Sequence, residues 1–386
     1  MTLLSEEPRR LSDVLDVVAK EAAESDENAG FPVAALDALR THGLLGLLVP
    51  AEYGGLGGTA ASMVDVALRL AREDLSVGVI FAMHCQQVAT LVRYASPELR
   101  AELLPAIGRG ESYLASVTTE AGTGGSLLAA ESTTEAGDGL VHIDRNAPIV
   151  TGGIHADAFL ITALAPGATS PNQVSLVYAH RDQLQVEVRG DWQPLGMRAT
   201  SSVPMRLVGA VPEHQLVGPS GDFRSMVTAL FGPYAHLGWA ACWLGASAGA
   251  LSRVIRHVRS PQGRKRYDTR SDLLLRRLAK VRGSLDTVHS LLRHTLDVLE
   301  RTEDLSQTPV QLLLNTLKTE AAERCFGAVD ELVELVGIQH GYLRNSPLFL
   351  ERTFRDLRSA SLNYSNDRLY RANGSLSLLD AEVRLV

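Results

Sequence analysis

The chain has 386 residues, which allows two or three domains, and 45% of them are apolar, enough to bury a sizeable core. Its net charge is −7 and its basic residues form no stripe, so nucleic acid is not expected as a partner. Cys85, Cys242 and Cys325 lie far apart without metal-binding spacing. They predict buried, reduced thiols and no metal site.

Neither a membrane span nor a secretion signal is predicted. The sequence contains no run of 18 uncharged apolar residues, which a membrane-spanning helix requires. Residues 1–7 lack the basic and apolar regions of a signal peptide. We therefore expect a cytoplasmic protein with no membrane partner, in a compartment that keeps thiols reduced.

Helical periodicity dominates the first third of the chain. Leu11, Val14, Leu15 and Val18 recur at three- and four-residue intervals, which predicts one face of a helix over residues 10–23. A second helix is expected from Phe31-Pro32 to Gly43, because proline is tolerated in a first helical turn and glycine often ends a helix. Further helices are predicted over residues 59–71, 77–94 and 97–107, after a glycine-rich loop at 52–58.

The pattern changes near Ser112. Short runs rich in Gly, Thr and Val, bounded by turn residues, predict a compact antiparallel β domain. Its expected strands are 114–118, 140–143, 159–162, 174–178 and 186–188. Helical periodicity returns after Gly221 and predicts long segments over 223–258, 271–301, 308–337 and 351–372.

These patterns predict a multidomain α+β protein in three parts. The parts are an N-terminal helical domain at 1–112, a central β domain at 113–222 and a C-terminal four-helix bundle at 223–386.

Four segments resemble the acyl-CoA dehydrogenases, in matching order over nearly the whole chain. The first and most specific is 31–55, which runs from Phe31-Pro32 through a helix to Gly-Leu-Leu-Gly-Leu-Leu-Val-Pro-Ala-Glu-Tyr-Gly-Gly at 43–55. The others are Ser116–Ser126, Trp192–Ser202, which is similar to a Gly-Met-Arg-x-Thr-x-Ser strand, and Arg352–Asp356. The resemblance implies that FAD lies where the three domains meet, partly across a subunit interface. It also implies a homodimer or homotetramer.

The resemblance also implies which residues contact the cofactor and the substrate. Flavin contacts would come from Val117, Thr118, Thr119, Gly124, Thr151, Arg264, Tyr267, Gly337 and Asn366, and a substrate contact from Ser126. Threonine hydroxyls suit a flavin edge and guanidinium groups suit a pyrophosphate. The threonines could equally be ordinary strand residues and the arginine run a solvated surface. Ile149, Ile338 and Glu334 depart from the family pattern.

The main departure concerns the catalytic base. The usual dehydrogenases place a glutamate eight residues after Arg-Asp, where this chain has Tyr364. Some relatives carry the glutamate on the first long C-terminal helix, but residues 231–238 contain no carboxylate. A tyrosine is a poor base at neutral pH, since its ordinary pKa is about 10. Tyr364 and His84 are the catalytic candidates. Asp367, three residues after Tyr364, and Glu120, in the segment Ser116–Ser126, are further titratable groups.

Three functions remain open from the sequence. The resemblance favours α,β-dehydrogenation of an acyl thioester on coenzyme A or a carrier protein, with a non-standard base and a separate electron acceptor. The alternative is a two-component monooxygenase that hydroxylates nitrogen, sulfur or an aromatic ring with reduced flavin from a separate reductase. A non-catalytic partner subunit is the third, because the cofactor positions are partly altered.

Overall fold

The computed structural model describes residues 7–123 and 125–386. Its helices are α1 (Glu7–Asn28), α2 (Val33–Thr41), α3 (Ala60–Glu73), α4 (Leu75–Tyr94), α5 (Pro97–Gly108), α6 (Phe223–Met226), α7 (Gly232–Arg259), α8 (Gly263–Arg266), α9 (Asp272–Arg301), α10 (Thr308–Gly337), α11 (Leu350–Leu357) and α12 (Asn366–Ser377). The N-terminal helices, middle sheets and C-terminal helices predicted from sequence are confirmed.

The middle of the chain forms two four-stranded sheets. The strands are β1 (Leu114–Val117), β2 (Thr134–Gly137), β3 (Leu140–Val150), β4 (Ala158–Leu164), β5 (Val174–His180), β6 (Leu184–Val188), β7 (Val203–Pro212) and β8 (Leu216–Val217). One sheet has the order β1-β4-β5-β8 and the other β2-β3-β7-β6. The prediction of a purely antiparallel domain is wrong in one place, because β1 pairs parallel with β4.

Two expected elements differ in the structure. The Gly-Met-Arg segment, expected as part of a strand, is a loop with a short 3-10 turn at Arg198–Thr200, and β7 begins only at Val203. The helical segment expected at 351–372 is interrupted between α11 and α12. Within this interruption Tyr364 adopts a left-handed backbone conformation, with φ of 48°, which no helix accommodates.

The chain divides into two compact units. Unit 1 contains the described residues up to Met63, then Ile80–Gln193 and Ala199–Ala235, and it includes both sheets. Unit 2 contains Val64–Val79, Pro194–Arg198 and His236–Val386. The three-domain division at 112 and 222 stays a prediction.

Helix α4 is long and apolar enough to cross a membrane by composition alone. It is the only such helix among the described residues, and 89% of its most apolar window is buried inside the protein. A buried helix of this kind is what the core of a folded protein provides.

The glycine-rich segment 43–55 has a packing role in unit 1. A Cβ at Gly46 would lie 2.3 Å from the backbone oxygen of Gly108, at the end of α5. Gly108 in turn approaches the backbone of Tyr53 and Gly55, where a Cβ would lie 2.7 Å from the Tyr53 oxygen. Only glycine permits two backbones to come this close. The most distinctive sequence segment therefore serves the fold.

We expect Gly46→Ala to lower the apparent free energy of unfolding by about 1–3 kcal/mol, since the new methyl group overlaps a backbone atom. Gly327→Ala is the matched control, because Gly327 lies inside α10 with nothing within 4 Å of its Cβ position. That control should gain up to about 1 kcal/mol from helix propensity. Urea unfolding measures both, and equal effects would contradict the packing role.

Candidate functional site

The loop after β1, which carries the predicted flavin contacts, is held by a buried ion pair in unit 1. Glu120 pairs with the Arg145 guanidinium, and the two side chains are 5% and 1% exposed. The Glu120 carboxylate also accepts hydrogen bonds from the amides of Glu131 at 2.7 Å and Ser132 at 2.9 Å. Arg145 donates to the Thr119 carbonyl at 3.0 Å. Glu120 is thereby committed to structure and is not a candidate base.

The predicted flavin residues of this loop occupy different environments. Val117 is buried at the end of β1, and its carbonyl accepts from the Thr162 hydroxyl at 3.3 Å. The Thr119 hydroxyl donates to the Ile149 carbonyl at 3.0 Å and so ties the loop to β3. The half-buried Thr118 hydroxyl makes no hydrogen bond to any residue that the structure describes. It is the group of this loop that is ready to bind a ligand.

Ser126 and Gly124 were predicted further along the same loop. Ser126 is half-buried, and its hydroxyl accepts from the Leu128 amide at 3.3 Å, so its proton is available to a second partner. Gly124 lies outside the described residues.

Thr151 is part of a short chain of hydroxyl groups in unit 1. Its hydroxyl lies 2.9 Å from that of Ser202, which lies 2.8 Å from that of Thr200. Thr200 and Ser202 are buried, whereas Thr151 is half-buried and forms the outer end of the chain. Such a chain can reverse the direction of its hydrogen bonds, so Thr151 can donate or accept at a ligand.

His84 is fully buried in α4 and both ring nitrogens are engaged by backbone groups. Nε2 lies 2.8 Å from the Leu45 carbonyl and Nδ1 accepts from the Leu114 amide at 3.1 Å, which assigns the proton to Nε2. Burial lowers the pKa of His84 to about 4, and the Leu45 carbonyl acts weakly in the opposite direction. The ring is therefore neutral and joins three segments of backbone. This geometry argues against the catalytic role predicted for it.

The Gly-Met-Arg and Arg-Asp motifs meet in unit 2. The Met197 amide donates to Asp356 Oδ1 at 2.6 Å, and Arg355 donates to the Leu195 carbonyl at 3.1 Å. A Cβ at Gly196 would lie 2.1 Å from the Arg355 carbonyl oxygen. Two motifs that lie about 160 residues apart in the sequence thus contact each other.

The residues predicted for the phosphate and adenosine end of FAD also lie together in unit 2. The Tyr267 hydroxyl donates to the Val336 carbonyl at 3.4 Å, next to Gly337. Gly337 has a φ of 71° and open space at its Cβ position. Arg264 is exposed, and its Nε donates to the Arg259 carbonyl at 3.0 Å. Glu334, one of the departures from the family, pairs with Arg277 at 3.0 Å.

Tyr364 and Asn366 flank the start of α12, and a residue that the sequence reasoning missed joins them. Lys318 of α10 donates to the Tyr364 carbonyl at 3.0 Å and to the Asn366 side-chain oxygen at 2.7 Å. Burial raises the pKa of the Tyr364 hydroxyl above its ordinary value, although Arg368 acts against this. Tyr364 therefore stays protonated at neutral pH. A lysine on the apolar stripe formed by Leu314, Ala321 and Cys325 was the available signal.

The other titratable candidates supply no obvious base. His236 is buried in the segment expected to carry the alternative glutamate, with its pKa lowered to about 4 by burial and by Lys318. Asp367 is exposed in the first turn of α12. Glu323 accepts hydrogen bonds from Asn366 at 3.1 Å and from Tyr370 at 2.5 Å.

We expect His84→Phe to lower the apparent free energy of unfolding by roughly 2–4 kcal/mol, because it leaves a buried carbonyl and a buried amide without partners. Since the folded pKa of His84 lies below 6.5, its contribution in the wild type is present above pH 6.5 and is lost as the pH falls towards 4. The variant should lack this part of the acid sensitivity in urea unfolding. His289→Phe, on the exposed face of α9, is the control. If His84→Phe keeps the stability of the wild type but loses enzymatic activity, His84 is instead a catalytic residue.

Comparisons with known proteins agree with the motifs. Residues 9–111 match the family model "Acyl-CoA dehydrogenase, N-terminal domain" and residues 234–363 match "Acyl-CoA dehydrogenase, C-terminal domain".

Three similar proteins illustrate the range of relatives. The chain is 27% identical to amino sugar nitrososynthase DnmZ of Streptomyces peucetius, over 91% of this chain and 88% of that protein. It is 24% identical to cyclohex-1-ene-1-carbonyl-CoA dehydrogenase of Syntrophus aciditrophicus, over 98% and 91% of the two chains. FMN-bound TdsC of Paenibacillus sp. A11-2 superposes with a TM-score of 0.85 at 24% identity, covering 98% of each chain.

The two family models together span more than half of the chain, and the fold has the helix–sheet–helix order that the motifs imply. The chain belongs to the acyl-CoA dehydrogenase superfamily.

Proposed function

We propose that this protein is the oxygenase of a two-component flavin-dependent monooxygenase, which transfers oxygen to a nitrogen or sulfur atom of a small organic substrate. The observation that carries the proposal is the group at the base position. Dehydrogenation needs a group that removes an α-proton. Tyr364, which aligns with the usual glutamate, has a pKa above its ordinary value and holds its own proton.

The other groups that could serve as a base are weak candidates for different reasons. Burial lowers the pKa of His236 to about 4, so its ring is a weak base, and its Nδ1 donates to the Leu314 carbonyl at 3.2 Å. Glu120 is neutralised by Arg145. Oxygen transfer to an amine or a sulfide requires no carbon-bound proton to be removed by a carboxylate. A protonated tyrosine can donate a hydrogen bond to the substrate, which suits this chemistry.

The residues present fit a flavin. The Thr118 hydroxyl has no partner among the described residues, and the Thr151 hydroxyl ends a chain that can donate or accept. We propose that these two groups and the Val117 backbone bind the flavin ring, with the loop held in place by Glu120 and Arg145. Arg264, Tyr267 and Gly337 would bind the phosphate and adenosine end if the flavin is FAD. Reduced flavin supplies the electrons that activate molecular oxygen.

The relatives include proteins named for each of the two reactions. DnmZ is named a nitrososynthase of amino sugars and matches 91% of this chain. The acyl-CoA dehydrogenases among the relatives favour the other reaction. We propose nitrogen or sulfur substrates on this basis, with a separate flavin reductase as partner. An assembly of two or four identical subunits and a cytoplasmic location stay predictions.

The reaction is tested with the purified protein, FMN or FAD, a flavin reductase with NADH, and ¹⁸O₂. Dibenzothiophene and a nucleotide-linked amino sugar serve as sulfur and nitrogen probes. We expect mass spectrometry to show one ¹⁸O atom added to a probe. In parallel, butyryl-CoA is added without oxygen, and the flavin absorbance should not bleach. Bleaching together with an enoyl product would overturn the proposal in favour of dehydrogenation, and Glu323→Gln and Tyr364→Phe would then identify the base.

Flavin binding is tested separately through Thr118. We expect Thr118→Val to weaken flavin binding by about fivefold, since one hydrogen bond to the ring is worth about 1 kcal/mol and valine keeps the shape of the side chain. Thr41→Val is the control, because Thr41 is an exposed threonine of the same unit at the end of α2, outside the loop. Flavin fluorescence titration measures both. If the two variants bind flavin equally well, Thr118 is only a loop residue.

A further inference from the structure

Lys318 is a charged residue placed in the core of unit 2. Helix α10 buries Leu314, Leu317 and Ala321 on the same face, and the lysine itself has no exposed surface. The ammonium lies 5.5 Å from the centre of the Trp243 ring. An ionised amine is costly to bury unless hydrogen bonds replace its water. Its surroundings therefore need to supply a full set of acceptors.

Three acceptors surround the ammonium, and all belong to the connection into α12. Nζ donates to the Ala360 carbonyl at 3.1 Å, to the Tyr364 carbonyl at 3.0 Å and to the Asn366 side-chain oxygen at 2.7 Å. A charged lysine has three N–H donors and a neutral amine has only two. The full set of bonds is thus available only to the charged form.

The segment that these bonds hold has an unfavourable backbone. Tyr364 has a φ of 48°, in the left-handed region that residues with a Cβ rarely adopt. Such a conformation persists only when its surroundings impose it. The lysine bonds the carbonyl of Tyr364 itself and the side chain of Asn366, so it acts on both sides of the strained position.

The charges around Lys318 give the arrangement a dependence on pH. Burial lowers the pKa of Lys318 to about 7, while the Glu323 carboxylate acts in the opposite direction. On α12, Arg368 and Tyr370 flank the connection, and Tyr370 is bonded to Glu323. On α7, His236 is neutral at this pH and adds no charge. Lys318 is charged below its folded pKa and neutral above it.

We propose that Lys318 is a positioning residue: its ammonium holds Tyr364 in the left-handed conformation and thereby orients the tyrosine side chain, and this hold weakens when the amine becomes neutral. The relevance for catalysis rests on the proposed function of Tyr364. The structural part does not, so the two can be tested apart.

The first measurement uses the wild-type protein alone. The chain has four lysines, Lys20, Lys265, Lys280 and Lys318, so ¹³Cε-lysine labelling gives four signals to follow by NMR. We expect one signal to titrate with a pKa of about 7, well below the pKa of about 10.4 of an ordinary lysine. Four signals that all titrate above pH 9 would overturn the dependence on pH.

The second measurement reads the backbone of the connection. The Asn363 and Asn366 amides donate to the Ser359 and Ser361 carbonyls at 2.9 and 3.0 Å, so they report on its order by hydrogen exchange. After correction for intrinsic rates, protection in the wild type should fall about fivefold between pH 6 and pH 8.5, the equivalent of one hydrogen bond. Lys318→Met keeps the length of the side chain but donates nothing, so protection should be low at both pH values.

Lys280→Met is the matched control, since Lys280 is an exposed lysine on α9 paired with Glu331. It should behave as the wild type does. Equal protection in Lys318→Met and the wild type would overturn the proposal. If Lys318→Met does not fold, the wild-type exchange profile alone decides, because exchange that is independent of pH contradicts the weakened hold.

The link to catalysis is measured last, in the oxygen-transfer assay. In the wild type, kcat should decline as the pH rises through neutrality, because the amine of Lys318 loses its charge. Lys318→Met should have a lower kcat without this decline, and its affinity for flavin should be unchanged. Hydrogen exchange and NMR could show the pH-dependent hold while kcat is the same in Lys318→Met, Tyr364→Phe and the wild type. In that case the proposed role of Tyr364 is wrong and the positioning by Lys318 stands.

Discussion

The buried pair of Glu120 and Arg145 is the constraint on which the candidate flavin loop depends. Two charges with almost no exposed surface must be matched to each other and to further hydrogen-bond partners, because burial removes their water. The partners here are the amides of Glu131 and Ser132 and the carbonyl of Thr119. Removing one partner of such a pair costs about 3–5 kcal/mol. These contacts tie both ends of the loop to the sheets, and they leave the Thr118 hydroxyl without a partner among the described residues.

Lys318 applies the same physics in the other unit. Its ammonium, like the Arg145 guanidinium, is buried and donates to backbone carbonyl groups of a connecting segment. In both places a buried charge fixes irregular backbone that hydrogen bonds of a helix or sheet could not fix. In both places the fixed segment carries a residue that the family resemblance marks for function, Thr118 in one and Tyr364 in the other.

The sequence predicted what local patterns determine and missed what depends on distant residues. The range 308–337 was predicted for α10 and is observed unchanged, because its apolar repeat alone defines a helix. The break between α11 and α12 could not be predicted, since Lys318, which donates to the Ala360 and Tyr364 carbonyls within it, is more than 40 residues away. The parallel pairing of β1 with β4 likewise depends on a partner that no local pattern names.

The candidate site shows the same division. The threonines of the candidate flavin loop were identified by resemblance, and their role in flavin binding stays a prediction. The structural contacts of His84 could not be predicted, because its partners, the Leu45 carbonyl and the Leu114 amide, are backbone groups that leave no mark in the sequence. A histidine in an apolar helix can be a structural residue or a catalytic one, and only its contacts distinguish the two.

The motifs that identify the superfamily are mostly motifs of the fold. Gly46 and Gly196 are glycines because a Cβ would overlap backbone, and Asp356 is an aspartate because it accepts from the Met197 amide. Any enzyme with this fold needs such contacts, whatever reaction it catalyses. The reaction depends instead on which groups can give or take a proton. At the position where the usual dehydrogenases have a carboxylate, this chain has a tyrosine that keeps its proton. Proteins that share this fold can therefore catalyse different reactions, and Tyr364 is the position at which this chain differs from the usual dehydrogenases.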